Sequence, residues 1–174
     1  TGQIDSGSLF RSPHNVYLRT AYTFLPTAEF RGIRLSSITS SATLNVYCPT
    51  TRRVSATSCS ITENHLPYAP SVLMTTSIGY SHSRGFDAFV ENVYIGRQFG
   101  DDLNAVNPNS NGQLGAIPSQ TYWNATANYR VEKWRTTFFV TGKNLLDRIY
   151  IIDRTRGLLP SGPRLVQTGI KVSF

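Results

Sequence analysis

The sequence predicts an all-β fold in which antiparallel strands form part of a transmembrane β-barrel. Three observations lead to this fold class: apolar residues recur at alternate positions, charge is scarce while aromatic residues are common, and connections differ sharply in length. Of the 174 residues, 40% are hydrophobic and 16% are charged, whereas soluble domains carry about 25% charged residues. No apolar run approaches the roughly 18 residues of a transmembrane helix, but a membrane-crossing strand needs only about 9–11.

Alternation of apolar and polar residues predicts about six strands. The predicted ranges are 15–25, 70–81, 86–98, 121–132, 134–146 and 164–174. Alternation is clear in the first range, where Val16, Leu18, Thr20, Tyr22 and Phe24 share one face. It is weaker in the third range, because Phe89 shares a face with Asp87 and Glu91.

Charged residues in mid-strand indicate the environment of the sheet face opposite the apolar one. Arg19, Arg130 and Lys143 lie opposite the apolar positions of their strands. A packed core would not accept these charges without partners, whereas a water-filled barrel lumen would. A soluble sheet with one face in water is the alternative interpretation.

The connections fall into two classes. Tight turns are predicted at 82–85 and 132–134, and long connections at 26–69, 99–120 and 147–163. Membrane barrels have short periplasmic turns on one rim and long extracellular loops on the other. About six strands are fewer than the eight of the smallest membrane barrels, and Thr1–Asp5 has no signal-peptide character. We therefore expect residues 1–174 to be the C-terminal part of a larger barrel.

The last predicted strand carries a candidate assembly signal. Gln167, Gly169, Val172 and Phe174 follow a polar, glycine, apolar, aromatic order similar to the signal that bacterial barrel-assembly machinery reads on its clients. The pattern therefore indicates that machinery as a partner. An ordinary amphipathic strand at the end of a domain is the alternative interpretation.

Other residue types give weaker indications. Cys48 and Cys59 would close a loop disulfide in an oxidising compartment, and two free thiols are the alternative. Asp101 and Asp102 suggest either a cation site or, more simply, a solvated loop. The three histidines are isolated, and no catalytic set is recognisable, so we predict neither an enzyme nor a cofactor or metal site.

The motif Lys143–Tyr150 carries a resemblance to a known family. It is similar to the Asn-Leu-Phe-Asp-x-x-Tyr motif near the C-terminus of TonB-dependent outer-membrane receptors, with Leu146 in place of Phe. The segments 66–70 and 94–101 resemble parts of the ferric-citrate and siderophore receptor branch. The resemblance implies a barrel of about 22 strands with a plugged lumen, located in the bacterial outer membrane. It also implies import of a ferric siderophore or ferric-citrate-like chelate through the TonB complex, whose contact region and plug domain are absent from this sequence.

Loop arginines are the candidate ligand-binding residues: Arg52, Arg53, Arg154 and Arg156. Guanidinium groups bind carboxylates bidentately, and ferric chelates are commonly anionic. The alternative is solvated loop charge or contact with lipopolysaccharide phosphates. The net charge is +7, but the arginines are scattered and no nucleic-acid-binding module is present. A passive porin-like channel and a soluble β-sheet binding module remain as alternative functions.

Overall fold

The computed structural model describes residues 1–10 and 12–173 and is built around one seven-stranded sheet. The strands are β1 (Gly2–Asp5), β2 (His14–Phe24), β3 (Val72–His82), β4 (Phe86–Ile95), β5 (Gln120–Val131), β6 (Thr136–Lys143) and β7 (Leu165–Val172). Each strand pairs antiparallel with the next one along the chain. The sheet is therefore a simple meander, as expected for a barrel wall.

All six predicted strands are present, and β1 is an additional strand that the sequence did not predict. Gly2–Asp5 offers only four residues with one apolar side chain, too few for alternation to be recognised. The predicted strand at 134–146 is shorter than expected, because Arg135 and Asn144 adopt φ of 48° and 50° at its two ends.

The remaining elements are short and lie in the connections. The helices are α1 (Ser6–Phe10) and α2 (Ser41–Tyr47), and 3-10 turns occupy Thr50–Arg52 and Glu132–Trp134. Two-stranded ribbons join Arg53–Ser55 to Ser58–Cys59, Gln98–Phe99 to Ala116–Ile117, and Ile151–Asp153 to Leu159–Pro160. None of the helices in the described ranges is long and apolar enough to span a membrane.

The two faces of the sheet differ in chemistry. The apolar face carries Val16, Leu18, Tyr22, Phe24, Ile78, Tyr80, Phe86, Val90, Trp123, Tyr129, Phe138, Val140, Val166, Ile170 and Val172. The polar face carries Arg19, Asp87, Glu91, Asn124, Thr126, Asn128, Arg130, Lys143, Gln167 and Lys171. Large side chains on the apolar face are exposed: Val16 by 55%, Ile78 by 60% and Ile170 by 63%.

Hydrogen bonds across the strands satisfy much of the polar face. Tyr17 Oη donates to Asp87 Oδ2 at 3.0 Å, and Asn128 Nδ2 donates to Asp87 Oδ1 at 3.3 Å. Asn124 Nδ2 donates to Glu91 Oε1 at 3.1 Å. The polar face also accepts some apolar side chains. For this reason the alternation of apolar and polar residues is weak in the range 86–98.

The two rims of the sheet also differ. The short-turn rim contains the turn after His82, where Gly85 has φ of +92°, and the turn Glu132–Trp134. The long-loop rim contains loop A (25–71), loop B (96–119) and loop C (144–164). The buried apolar cluster lies in these loops, not on the sheet, and comprises Leu44, Cys48, Cys59, Ile61 and Leu103.

Candidate functional site

The three long loops pack together into one unit above the sheet. The buried cluster joins loops A and B, because Leu103 of loop B packs with Leu44 and Ile61 of loop A. Phe30, Ile38 and Tyr47 pack around this cluster. Burial of apolar surface holds the loops together, since each such side chain stabilises by about 1.5–3 kcal/mol when fully buried.

Asp102 ties loop B to loop A through its carboxylate. Oδ1 accepts from Ser36 Oγ at 2.7 Å, and Oδ2 accepts from the backbone N–H and the hydroxyl of Ser37 at 2.8 and 3.0 Å. Nearby, Asn104 Oδ1 accepts from the backbone N–H of His65 at 2.7 Å, and Asn104 Nδ2 donates to the His65 carbonyl at 2.9 Å. These side-chain bonds, together with the backbone bond from Tyr68 N–H to the Phe99 carbonyl at 2.9 Å, hold loops A and B together.

The Asp101 carboxylate holds separate parts of loop B together by hydrogen bonds. It accepts from the backbone N–H groups of Ala105 at 3.1 Å and Gly115 at 2.9 Å, and the residue is only 7% exposed. Burial raises the pKa of the Asp101 carboxyl, and the two N–H donors oppose that rise. The solvated-loop interpretation is therefore wrong for Asp101, whereas Asp102 is half-buried and hydrogen-bonded to loop A. No group of three potential metal ligands occurs among the described residues.

Tyr68 joins loop A to loop C. Its hydroxyl donates to Asp153 Oδ1 at 2.6 Å and accepts from the Arg154 backbone N–H at 3.1 Å. The Thr155 hydroxyl, at 2.7 Å, and the Tyr68 hydroxyl hold the pKa of the Asp153 carboxyl below its ordinary value. Tyr68 has φ of 57°, an uncommon conformation for a bulky residue.

Arg154 lies inside the loop unit with 4% exposure. Its Nε donates to the Ala116 carbonyl at 3.2 Å, and its Nη1 donates to the carbonyls of Gly112 and Leu114 at 2.9 and 3.2 Å. The guanidinium therefore joins loop C to loop B. Its predicted contact with a ligand stays untested, and the geometry favours a structural role.

Arg52 borders a cavity of about 490 Å³ between loops A and B. The lining also includes Tyr47, Asn64, Asn104 and Asn107. Arg52 Nη1 donates to Asn64 Oδ1, and no acidic side chain of the described ranges forms an ion pair with Arg52. A half-buried cation without a counter-charge makes this cavity suited to an anionic ligand.

The other two candidate arginines differ in their surroundings. Arg53 Nη1 donates to Asn45 Oδ1 at 2.5 Å, and Arg53 Nη2 donates to the Ser41 carbonyl at 3.4 Å. Arg156 is exposed and lines a separate cavity of about 530 Å³ in loop C with Asp153 and Thr155. The structure thus places the four arginines in different surroundings, and only Arg52 lines the cavity between loops A and B.

A disulfide joins Cys48 to Cys59, whose Cα atoms lie 6.0 Å apart. It connects the end of α2 to the ribbon strand Ser58–Cys59, and Cys59 itself borders the cavity beside Arg52. The bridge therefore supports one wall of the candidate site.

The motif Lys143–Tyr150 is structural. Asn144 is buried, and its Nδ2 donates to the carbonyls of Arg148 and Gly162 at 2.9 and 3.1 Å. Asp147 Oδ1 accepts from the backbone N–H of Arg164 at 2.7 Å. These bonds stabilise the turn from β6 into loop C and hold the start of loop C next to its end, where the chain enters β7.

The predicted assembly signal lies largely in β7. Gln167 and Gly169 are on the polar face and Val172 is on the apolar face, whereas Phe174 lies outside the described residues. The Phe139 ring covers Gly169, since a Cβ added there would lie 2.7 Å from Phe139 Cζ. Gly169 therefore also has a packing role, and the assembly signal stays a prediction.

Sequence reasoning missed the roles of several residues that build the site. Tyr68, Asp102 and Asn104 each hydrogen-bond a residue at least 39 positions away. No local motif marks such partners. The one available signal was the density of Asn and Asp in loop B, which is typical of residues that bond backbone groups.

Comparisons with known proteins identify the fold. No protein-family model matches the sequence, and no curated protein matches it. Among solved structures, the unliganded ferric citrate transporter FecA matches 97% of this chain with a TM-score of 0.66 and 20% identity. The siderophore receptor PiuA from Acinetobacter baumannii matches 91% with a TM-score of 0.56 and 16% identity.

The ferric-catecholate import receptor Fiu from Escherichia coli K12, in its closed form, matches 90% of this chain with a TM-score of 0.50 and 13% identity. The chain spans only 21–22% of the length of these three structures. At these identities the likeness concerns the fold. The predicted fold class is confirmed: the chain is mostly antiparallel sheet, and this sheet has the fold of part of the β-barrels in these three structures.

Proposed function

We propose that this chain is the C-terminal part of an outer-membrane receptor that imports a ferric siderophore or ferric-citrate-like chelate. The observation that carries the proposal is the match of 97% of the chain to the fold of a ferric citrate transporter. The plug domain and the segment that contacts the TonB complex belong to another part of the protein. Residues 1–174 supply wall strands and external loops.

The two faces of the sheet support the membrane location. Lipid covers the apolar face, which removes the cost of exposing large side chains to water, about 25 cal/mol per Å². The polar face lines the lumen, where water can hydrate Arg19, Lys143 and Lys171. A soluble binding module would leave the apolar face uncovered.

The proposal also fixes the orientation of the chain. The long-loop rim faces the exterior, and the short-turn rim faces the periplasm. The Cys48–Cys59 disulfide is compatible with this placement, since disulfides persist outside the cytoplasm. β7, with Gln167, Gly169 and Val172, presents the assembly signal to the barrel-assembly machinery at the periplasmic rim.

The cavity between loops A and B is the proposed contact for the chelate. Arg52 supplies the positive charge at the lining, and Asn64 holds the guanidinium in position by accepting its hydrogen bond. Arg53 and Arg156 lie outside this cavity and attract the anion at longer range. Arg154 keeps loops B and C in position.

The test uses the full-length protein and ferric citrate as its first ligand. Replacing Arg52 by Gln should weaken binding by about 10- to 100-fold, because a hydrogen bond to a charged group is worth about 1.5–3 kcal/mol. Arg31→Gln is the matched control, since Arg31 is an exposed loop arginine that forms an ion pair with Glu29 at 3.6 Å and does not line the cavity. The affinity of each variant is measured by titration, first with ferric citrate and then with a ferric hydroxamate chelate.

Transport distinguishes the receptor from the alternative channel. Uptake of radioactive iron should saturate and should stop when TonB is deleted. Uptake that continues without TonB would support the passive channel, and failure of every ferric chelate to bind would contradict the proposed ligand class.

A further inference from the structure

Small residues are concentrated in one part of the apolar face. Along β5 the apolar-face positions change from Trp123 to Ala125 and Ala127 and then to Tyr129. The register places Ala88 of β4 opposite Ala127, and Gly142 of β6 opposite Ala125. The small residues therefore form a diagonal patch across the three strands, with the pair Ala88–Ala127 at one height and the pair Ala125–Gly142 at the next.

Larger residues surround this patch on every side. Tyr80 lies opposite Ala88, and Ile78 lies opposite Val90. On the other side Val140 lies opposite Ala127, and Val166 lies opposite Gly142. The difference in side-chain size leaves a groove of about 590 Å³, which we call the apolar groove.

The chemistry of the apolar groove excludes a polar occupant. None of the described residues that line it is charged. The Tyr80 hydroxyl is engaged with His14 Nδ1 at 2.7 Å, and the Thr126 hydroxyl is engaged with Thr141 Oγ1 at 3.1 Å on the polar face. An occupant gains contacts here only by burying hydrocarbon.

We propose that the apolar groove binds one hydrocarbon chain of a membrane lipid in a fixed position. The volume corresponds to roughly 20 water-sized groups of about 30 Å³ each, which suits one long acyl chain. The groove is continuous with the face that meets the membrane, so lipid reaches it without crossing a polar surface. The inference requires the sheet to lie in a membrane, but it does not depend on the identity of the chelate.

A second copy of the chain fits the apolar groove less well. A two-fold interface centred here would place groove against groove. The two concave patches would then enclose a void, and unfilled apolar volume is destabilising. An acyl chain adapts its shape to the groove and leaves no such void.

The experiment labels the groove directly. The full-length protein is reconstituted in vesicles of phosphatidylethanolamine and phosphatidylglycerol that contain phosphatidylethanolamine with a photoactivatable diazirine in its acyl chain. After illumination, mass spectrometry should find label concentrated in peptides of β4, β5 and β6. The apolar face of β2, with Leu18, Tyr22 and Phe24 exposed, is the internal reference. Equal labelling of β2 and β5 per exposed side chain would overturn the proposal.

Matched variants complete the test. Ala88→Leu with Ala127→Leu fills the groove and should reduce its labelling several-fold. Thr20→Leu enlarges an apolar-face residue outside the groove and should leave the labelling unchanged. Heat-dependent electrophoretic mobility checks that each variant is folded, and chelate binding is measured separately. Unchanged labelling of the filled variant, or a crosslink between two copies through the groove, would overturn the proposal.

Discussion

The absence of a side chain at Gly79 leaves room for the Tyr17 ring on the polar face. The ring lies over Gly79, so that a Cβ added there would lie 2.5 Å from Tyr17 Oη. Tyr17 is thereby 3% exposed and directs its hydroxyl to Asp87. An aromatic ring over a strand glycine restores the packing that the glycine lacks.

Gly79→Ala should destabilise the full-length protein by about 1–3 kcal/mol, the usual cost of overpacking. The added methyl group displaces the Tyr17 ring and weakens the bond between Tyr17 and Asp87. Gly162→Ala is the control, because a Cβ at that position meets no described atom within 4 Å beyond the adjacent residues of the chain. Urea unfolding in lipid vesicles measures both variants, and equal stabilities would contradict the packing role of Gly79.

Asp153 should make loop C sensitive to acid. Because its folded pKa is lowered, the carboxylate stabilises the folded state above the ordinary aspartate pKa of about 3.9, and this stabilisation disappears as the pH falls below it. The wild type should therefore be more stable than Asp153→Asn at pH 6, with the difference shrinking below about pH 4. Thermal unfolding across this pH range measures the difference, and a constant difference would disprove the assignment. Tyr68→Phe, which removes one of the two side-chain donors, should reduce the difference at pH 6.

At the scale of elements, loop A depends on a short helix and a short ribbon that are too small to be stable alone. α2 has seven residues with Ser40 as its N-cap, whereas isolated helices shorter than about 12–15 residues are marginal. The ribbon has five residues in its two strands. The disulfide and the buried cluster therefore hold these elements in place.

Replacing Cys48 and Cys59 together by Ser should lower the free energy of local opening of loop A by about 2–4 kcal/mol. Proteolysis within 49–58 should become faster, and ferric citrate binding should weaken, because Cys59 lines the cavity beside Arg52. Reductant should reproduce both effects in the wild type and have no effect on the double variant. Unchanged proteolysis would contradict the supporting role of the bridge.

The elements differ in how well the sequence predicted them. The six long strands were found to within a few residues, since each buries or exposes alternate positions along its length. α2 was missed because Ser41–Tyr47 mixes helix-forming and β-branched residues in a Ser- and Thr-rich stretch. Its stability comes from packing of Leu44 in the cluster, which no local pattern indicates.

At the scale of the whole molecule, the sheet and the loops are stabilised in different ways. Backbone pairing and an apolar face were predictable, because they follow from period-two alternation. The loop unit was not, because Tyr68 and Asp153 are 85 positions apart and Ser36 and Asp102 are 66 apart. Among the candidate arginines, Arg52 lines a cavity and Arg154 is buried among carbonyls, and ligand contact by either one stays a prediction.

The meander also determines whether the number of further strands in a closed barrel is odd or even. β1 and β7 are the outer strands of a seven-stranded antiparallel sheet, so both run from the long-loop rim towards the short-turn rim. Two strands that point the same way cannot close a ring in which all neighbours are antiparallel. Any closed antiparallel barrel containing this sheet must insert an odd number of further strands between β7 and β1, roughly 15 for a barrel of about 22.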